Sequence, residues 1–178
     1  MKKVLIISTS LRTNSNSELL AKSFMDGAIS SGNEVVFISL KNKKIAFCLG
    51  CMACQKTKQC VIKDDSNEIV DKMSNADVIV WATPTYYYSM SGQMKTLIDR
   101  ANSLFVRDNN FKEIYLLVTA AENEEYTPKH VIGGVQGWID CFNDVKLVGT
   151  LFVGEVDNDN SIKGHDGLKE AYELGANV

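Results

Sequence analysis

Long hydrophobic runs are missing from this 178-residue chain. The apolar stretch nearest its start, Val4 to Ile7, is too short for a membrane span or the core of a leader peptide, so the expectation is a soluble, cytoplasmic protein with no membrane partner. An excess of basic charge is missing too. Nineteen Lys and Arg stand against 22 Asp and Glu, a formal net charge of -3, and no cationic stripe is interleaved with aromatics, which argues against a nucleic-acid partner. No internal repeat, low-complexity tract or interdomain linker interrupts the chain. A sequence of this length that is 45% hydrophobic is expected to form one domain over residues 1–178. It would bury roughly 70% of its unfolded surface and need no disulfide or metal to fold. A convincing Ser/His/Asp or Cys/His constellation is also absent. His130 and His165, the two histidines, have no carboxylate or cysteine arrangement beside them and read as surface residues. No catalytic side chain is assigned.

What is present is an alternation of short β-branched runs with helix-period segments. The strands are expected at 3–8, 34–40, 77–83, 113–120 and 146–154. Most lack polar alternation, which marks strands covered on both faces and hence a parallel sheet between helical layers. Helices are expected from Asn16 to Ser30, with Gly32 as its stop, from Asp65 to Ser74, along the amphipathic Met94–Phe105 segment, from Val131 to Phe142 and from Leu168 to Leu174. Asp65 and Glu68 resemble a capping box, and Lys95 and Asp99 a solvated pair. Right-handed connections then give a doubly wound α/β sandwich.

Ligands of such sheets sit at the carboxyl ends of the strands, where the strand order reverses. The turn after the first strand, STSLRTNSNSE, contains no glycine, which excludes a GxGxxG dinucleotide turn. It offers hydroxyls, amides, Arg12 and the free N–H groups of the following helix, a set suited to one phosphate monoester or to a helix cap without a ligand. After the third strand, TPTYYYSMSGQ places three consecutive tyrosines where a short polar connection would be ordinary; they could cover a flat ligand or a partner subunit, with one of them packed beneath the loop. After the fourth strand come the small residues Thr119, Ala120 and Ala121.

Together, STSLRTNSNS, TPTYYYSMSGQMKTLIDR, the cysteine loop ending in CVIKDD, and the closing LKEAYELG resemble the NADPH-dependent FMN reductase and iron-sulfur flavoprotein branch of the flavodoxin-like superfamily. The resemblance covers most of residues 3–175 and is weakest over 120–145. It implies a five-stranded sheet of order 2-1-3-4-5 binding one FMN. Ser10, Arg12, Asn16 and Ser17 would hold its phosphate, Pro84, Thr85, Tyr86 and Tyr87 would flank the ribityl chain and isoalloxazine, and Thr119 and Ala120 would border the ring. It further implies a homodimer that takes a hydride from NAD(P)H and passes it to a small acceptor such as a flavin or quinone. Thr9 departs from the family, which usually has glycine there; a β-branched residue could loosen the turn. That departure leaves open a non-enzymatic binding module of the same fold.

Four of the five cysteines, Cys48, Cys51, Cys54 and Cys60, fall in one loop with spacing CxxCxxCxxxxxC. This donor set suits a 4Fe-4S cluster, as in an electron-carrying iron-sulfur flavoprotein, or zinc; a redox-active CxxC pair and a metal-free loop of reduced thiols are the other readings. Cys141 is expected in the core.

Overall fold

A computed structural model describes residues 1–178. Its strands are β1 (Lys3–Ser8), β2 (Glu34–Ser39), β3 (Val78–Tyr86), β4 (Ser89–Met90), β5 (Glu113–Thr119) and β6 (Lys146–Val153). The helices are α1 (Asn16–Ser30), α2 (Ala53–Thr57), α3 (Asp65–Asn75), α4 (Gly92–Arg100), α5 (Lys129–Ile139) and α6 (Asp166–Ala176), and a 3-10 turn over Ala101–Val106 follows α4. The five long strands are parallel in the order β2-β1-β3-β5-β6, and β4 pairs antiparallel with the end of β3. Counted without β4, this is the expected order 2-1-3-4-5.

The central strands are buried on both faces, whereas the edge strands β2 and β6 alternate between covered and exposed positions. Successive side chains of a strand point to opposite faces, so one sheet serves two cores. Leu5, Ile7, Ile79, Trp81, Leu116 and Val118 pack with residues of α3, α4 and α5. Val4, Ile6, Val78, Val80, Leu117 and Leu151 pack with residues of α1 and α6.

Local differences from expectation have local causes. The cap of α3 is Asp64, one residue before the expected box, and its carboxylate accepts the Ser66 N–H at 3.0 Å. The Met94–Phe105 helix breaks at Ala101 into the 3-10 turn, which leaves Phe105 exposed while Met94, Leu97 and Leu104 are buried. Gly32 does stop α1, with a φ of 81° that suits glycine. Lys95 and Asp99 meet at 2.6 Å on the exposed side of α4. Cys141 is a correction: it lies just past α5, exposed, with its thiol donating to the Gly137 carbonyl at 3.4 Å.

Candidate functional site

The carboxyl ends of β1, β3 and β5 bring their following loops to one edge of the sheet. In the first loop Ser8, Thr9 and Ser10 are buried. Thr9 fastens this loop. Its N–H and its Oγ1 both donate to the Ala82 carbonyl, at 2.9 and 3.0 Å, and its Oγ1 accepts from Ser91 Oγ at 2.9 Å. Ser91 in turn caps α4 by accepting the Met94 N–H and donates its own N–H to Thr83 Oγ1. The branched residue that was expected to loosen the turn joins β1, β3 and α4.

Ser15 stands at the N-cap of α1 but makes no side-chain cap. Its hydroxyl pairs instead with that of Ser17 at 2.9 Å, so the first-turn amides of this 15-residue helix keep their capacity to bind an anion. Ser10 Oγ accepts the Arg12 N–H, and the Arg12 guanidinium donates to the Asp157 carbonyl at 3.0 Å with Asp159 at 4.0 Å. Asn16 turns away from the first loop. Its amide donates to the Val156 and Asn158 carbonyls and its Oδ1 accepts the Ile162 N–H. The segment after β6 is therefore part of the site, and no motif in the sequence marks it.

The tyrosine segment is a two-residue hairpin. Tyr87 and Tyr88 have φ of 48° and 61°, the left-handed pair that a tight hairpin demands and that bulky residues adopt only under strain. None of the three tyrosines packs beneath the loop: Tyr86, Tyr87 and Tyr88 are 48%, 101% and 38% exposed. Between this hairpin and the segment after β5 lies a cavity of about 230 Å³ lined by Thr85, Tyr87, Tyr88, Ala120, Ala121, Glu122 and Thr127. Two of these residues, Thr85 and Thr127, have a buried Oγ1 without a hydrogen-bond partner. Thr85, Tyr87 and Ala120 thus share one cavity. Pro84 and Thr119 are register partners just below it, and Tyr86 ends β3, paired with Ser89 of β4. Glu122 and Thr127 escaped the sequence reading because they sit where the resemblance is weakest. Tyr88 Oη donates to the Glu122 carboxylate at 3.0–3.1 Å, its ring leans on Tyr126 at 5.7 Å, and the acceptor carboxylate pushes the phenol up to about 12.

The cysteine loop is closed at its neck by Arg100, whose side chain is wholly buried. One Nη donates to the Ala46 carbonyl at 2.8 Å and Asp64 Oδ2 at 2.6 Å; the other donates to the Ile62 carbonyl and Asp64 Oδ1, both at 3.1 Å. Asp64 also accepts the Ala46 N–H and both Ser66 donors. Burial raises the Asp64 carboxyl, but the hydrogen bonds from Arg100, Ala46 and Ser66 outweigh it and hold the group at about 2. Arg107 pins the loop further along by donating to the Lys58 carbonyl and to Asp71. Inside this frame Cys48 and Cys51 are exposed, Cys60 is half-buried, and Cys54 is buried where Asn102 donates to its sulfur at 3.4 Å. No three His, Cys, Asp or Glu side chains are arranged to hold a metal ion. In this conformation the four thiols do not fit a 4Fe-4S cluster or a tetrahedral zinc ion. No helix is long and apolar enough to cross a membrane.

Residues 2–125 match the family model described as NADPH-dependent FMN reductase. Among curated proteins, the chain is similar to an iron-sulfur flavoprotein of Methanocaldococcus jannaschii, 39% identical over 102 residues that make up 57% of this chain and 53% of the relative. It is also similar to an iron-sulfur flavoprotein of Methanosarcina thermophila, 37% identical over 109 residues, 61% of this chain and 56% of the relative. The chain spans about half the length of these relatives. Among solved structures, an NAD(P)H:quinone oxidoreductase from Methanothermobacter marburgensis superposes with a TM-score of 0.77 at 15% identity, over 99% of this chain and 95% of that one. An azoreductase from Bacillus anthracis gives 0.74 at 16% identity over the whole of both chains. At such identities these two structures establish the flavodoxin-like fold.

Proposed function

The chain belongs to the NADPH-dependent FMN reductase family, and from that premise we propose an FMN-dependent oxidoreductase, one domain over residues 1–178, that passes a hydride from NAD(P)H by way of bound FMN to a small acceptor. The observation that carries this reading is the cavity at the ends of β3 and β5, where two buried hydroxyls, Thr85 Oγ1 and Thr127 Oγ1, have no partner within the protein. Buried polar atoms without partners are rare, and here both belong to residues that line a space bordered by alanines, where a flat heteroaromatic ring could approach. At the other end of the site, Ser10, Arg12, Ser17 and the uncapped amides of α1 suit a phosphate monoester. Asn16, committed to residues 156–162, positions that turn. The residues present therefore suit FMN.

When bound, FMN supplies the hydride chemistry itself. The protein's share is to hold the phosphate, to offer Thr85 and Thr127 as hydrogen-bonding groups at the ring, and to screen one side with the tyrosine hairpin. No protein nucleophile or general base is required, in keeping with a site that contains no histidine. The exposed Tyr86 and Tyr87 favour a homodimer in which a second copy covers the hairpin. The test is anaerobic. Protein incubated with FMN should retain one yellow chromophore per chain and lose the colour on addition of NADPH; failure to take up FMN would end the proposal. Arg12→Ala is expected to weaken FMN binding by about 1–3 kcal/mol, the scale of a charge-assisted hydrogen bond, read from the dissociation constant by flavin fluorescence. An unchanged constant would place the phosphate elsewhere.

A second reading, an electron-carrying iron-sulfur flavoprotein, is favoured by the CxxCxxCxxxxxC spacing and by the names of the curated relatives. It requires the loop between Ala46 and Asp64 to gather four thiols that now stand apart. Iron analysis of anaerobically purified protein separates the two: about four irons per chain supports the cluster, and yellow, iron-free protein supports the plain flavin enzyme.

A further inference from the structure

We infer that Glu122, held at the ring cavity by Tyr88, makes this site select neutral or cationic flat acceptors over flat acceptors whose ring system itself carries a negative charge. The inference rests on the FMN reading above and adds the charge class of what stacks on the ring.

Two segments line the cavity, and a third lies beside the second of them. The hairpin segment 83–91 carries no ionisable carboxylate and no Lys or Arg. Segment 120–127 carries Glu122, Glu124 and Glu125, and segment 154–160 carries Glu155, Asp157 and Asp159; neither contains a Lys or Arg. The last two lie side by side. Ala120 donates its N–H to the Val153 carbonyl, Val156 donates its N–H to the Ala120 carbonyl, and Gly154 approaches Asn123 so closely that a Cβ there would have no room. Of the nearby cations, Arg12 is turned toward Asp157 and Asp159, and Lys129 is exposed at the start of α5, two residues beyond Thr127.

Five of the six carboxylates are a rim and would by themselves say only that the surface is acidic. Glu122 differs because it lines the cavity and because its position is fixed. Both of its oxygens lie within hydrogen-bonding distance of Tyr88 Oη. Tyr88 is braced in turn by the Tyr126 ring and by the left-handed backbone of the hairpin. The cavity is the ring site of the proposed function, and Thr127, 2% exposed with an unpartnered hydroxyl, belongs to its lining. A fixed charge beside a cavity with apolar walls is less screened than a mobile one in water, so it acts on whatever enters.

The test titrates the oxidised, FMN-loaded protein with two tricyclic probes, the cation proflavine and the anion anthraquinone-2-sulfonate, and reads dissociation constants from fluorescence. The cation is expected to bind about tenfold more tightly at low salt, with the gap narrowing at high salt. Glu122→Gln, which keeps an acceptor for Tyr88, should bring the two constants together, whereas Glu124→Gln on the rim should move them little. Equal affinities in the wild type, or a preference that Glu122→Gln leaves intact, overturn the inference. FMN uptake is measured first on each protein. Protein that takes up no FMN overturns the underlying reading before any probe is added, so the two failures are distinguishable.

Discussion

Replacing Asp64 with alanine is expected to destabilise the protein by about 3–5 kcal/mol, the range for removing one partner of a buried ion pair. The Arg100 guanidinium has no solvent to turn to: its side chain is wholly covered, and its Nε already lacks a partner. Without the carboxylate the positive charge stays buried among carbonyls of Ala46 and Ile62, and α3 loses its cap at Ser66 as well, a loss of about 1 kcal/mol by itself. Asp64→Asn, which retains a capping oxygen and loses the charge, should fall between wild type and alanine. Urea unfolding of the three proteins measures this, and a deficit below about 1 kcal/mol for the alanine variant would show that Arg100 is not trapped. The same pair sets an acid limit. Asp64 titrates at about 2 in the fold against an ordinary value of 3.8. Its contribution is complete above the unfolded value and is lost as pH falls from there through about 2. That component of the pH dependence should be missing in Asp64→Asn. Because the pair closes the neck of the cysteine loop, the alanine variant should also expose Cys54, seen as faster alkylation of that thiol than in the wild type.

Why the sheet was legible and this pair was not follows from what each leaves in the sequence. A central parallel strand is covered on both faces, so VLII, VIVWA and IYLLV appear as unbroken apolar runs, and the connections allowed between them leave few strand orders. Arg100 has no such trace. It sits at a polar-looking position of an amphipathic helix, and its partner is 36 residues away in a loop. The cap of α3 was missed for the same reason, since Asp64 and Asp65 are adjacent, both are ion-paired, and it is the buried partner Arg100 that sets Asp64 apart. In the candidate site, hydroxyl-rich and tyrosine-rich loops pointed to the carboxyl edge of the sheet, where the cavity beside the hairpin lies, because that composition is unusual for mere connections. Glu122 and Thr127 lie in a polar stretch of ordinary composition, and Asn16 gave no sign that its amide would serve residues 156–162. Cys141 reads as helical and apolar; the helix ends two residues before it, and position alone puts it in solvent.

Alanine at Gly27 or at Gly175 should cost about 3 kcal/mol each, at the upper end of overpacking because the obstruction is backbone on both sides. Helix propensity predicts the reverse, a gain of about 0.8–1 kcal/mol for Gly→Ala inside a helix, so the sign of the change decides between the two effects. The two glycines let the backbones of α1 and α6 come into contact. A Cβ on Gly27 would run into the Tyr172 carbonyl and the Ala176 N, and a Cβ on Gly175 into the Phe24 carbonyl and the Ala28 N. Neither obstacle is a side chain that could rotate away, so the helices must separate. Gly133, exposed in α5 with nothing near its missing Cβ, is the internal control and should gain stability on the same substitution. The separation reaches the site as well. α1 is tied to the segment after β6 through Asn16 and to α6 through Ser23, whose hydroxyl donates to the Leu168 carbonyl. A displaced α1 therefore carries its uncapped N-terminus out of register with Ser10 and Arg12. Thermal melts of the three variants should show two losses and one gain, and the surviving Gly27→Ala protein should bind FMN more weakly than the Gly133→Ala protein. If Gly27→Ala proved as stable as wild type, the two helices would not be in backbone contact, and the position of the α1 turn would have to be set by Thr9 and Asn16 alone.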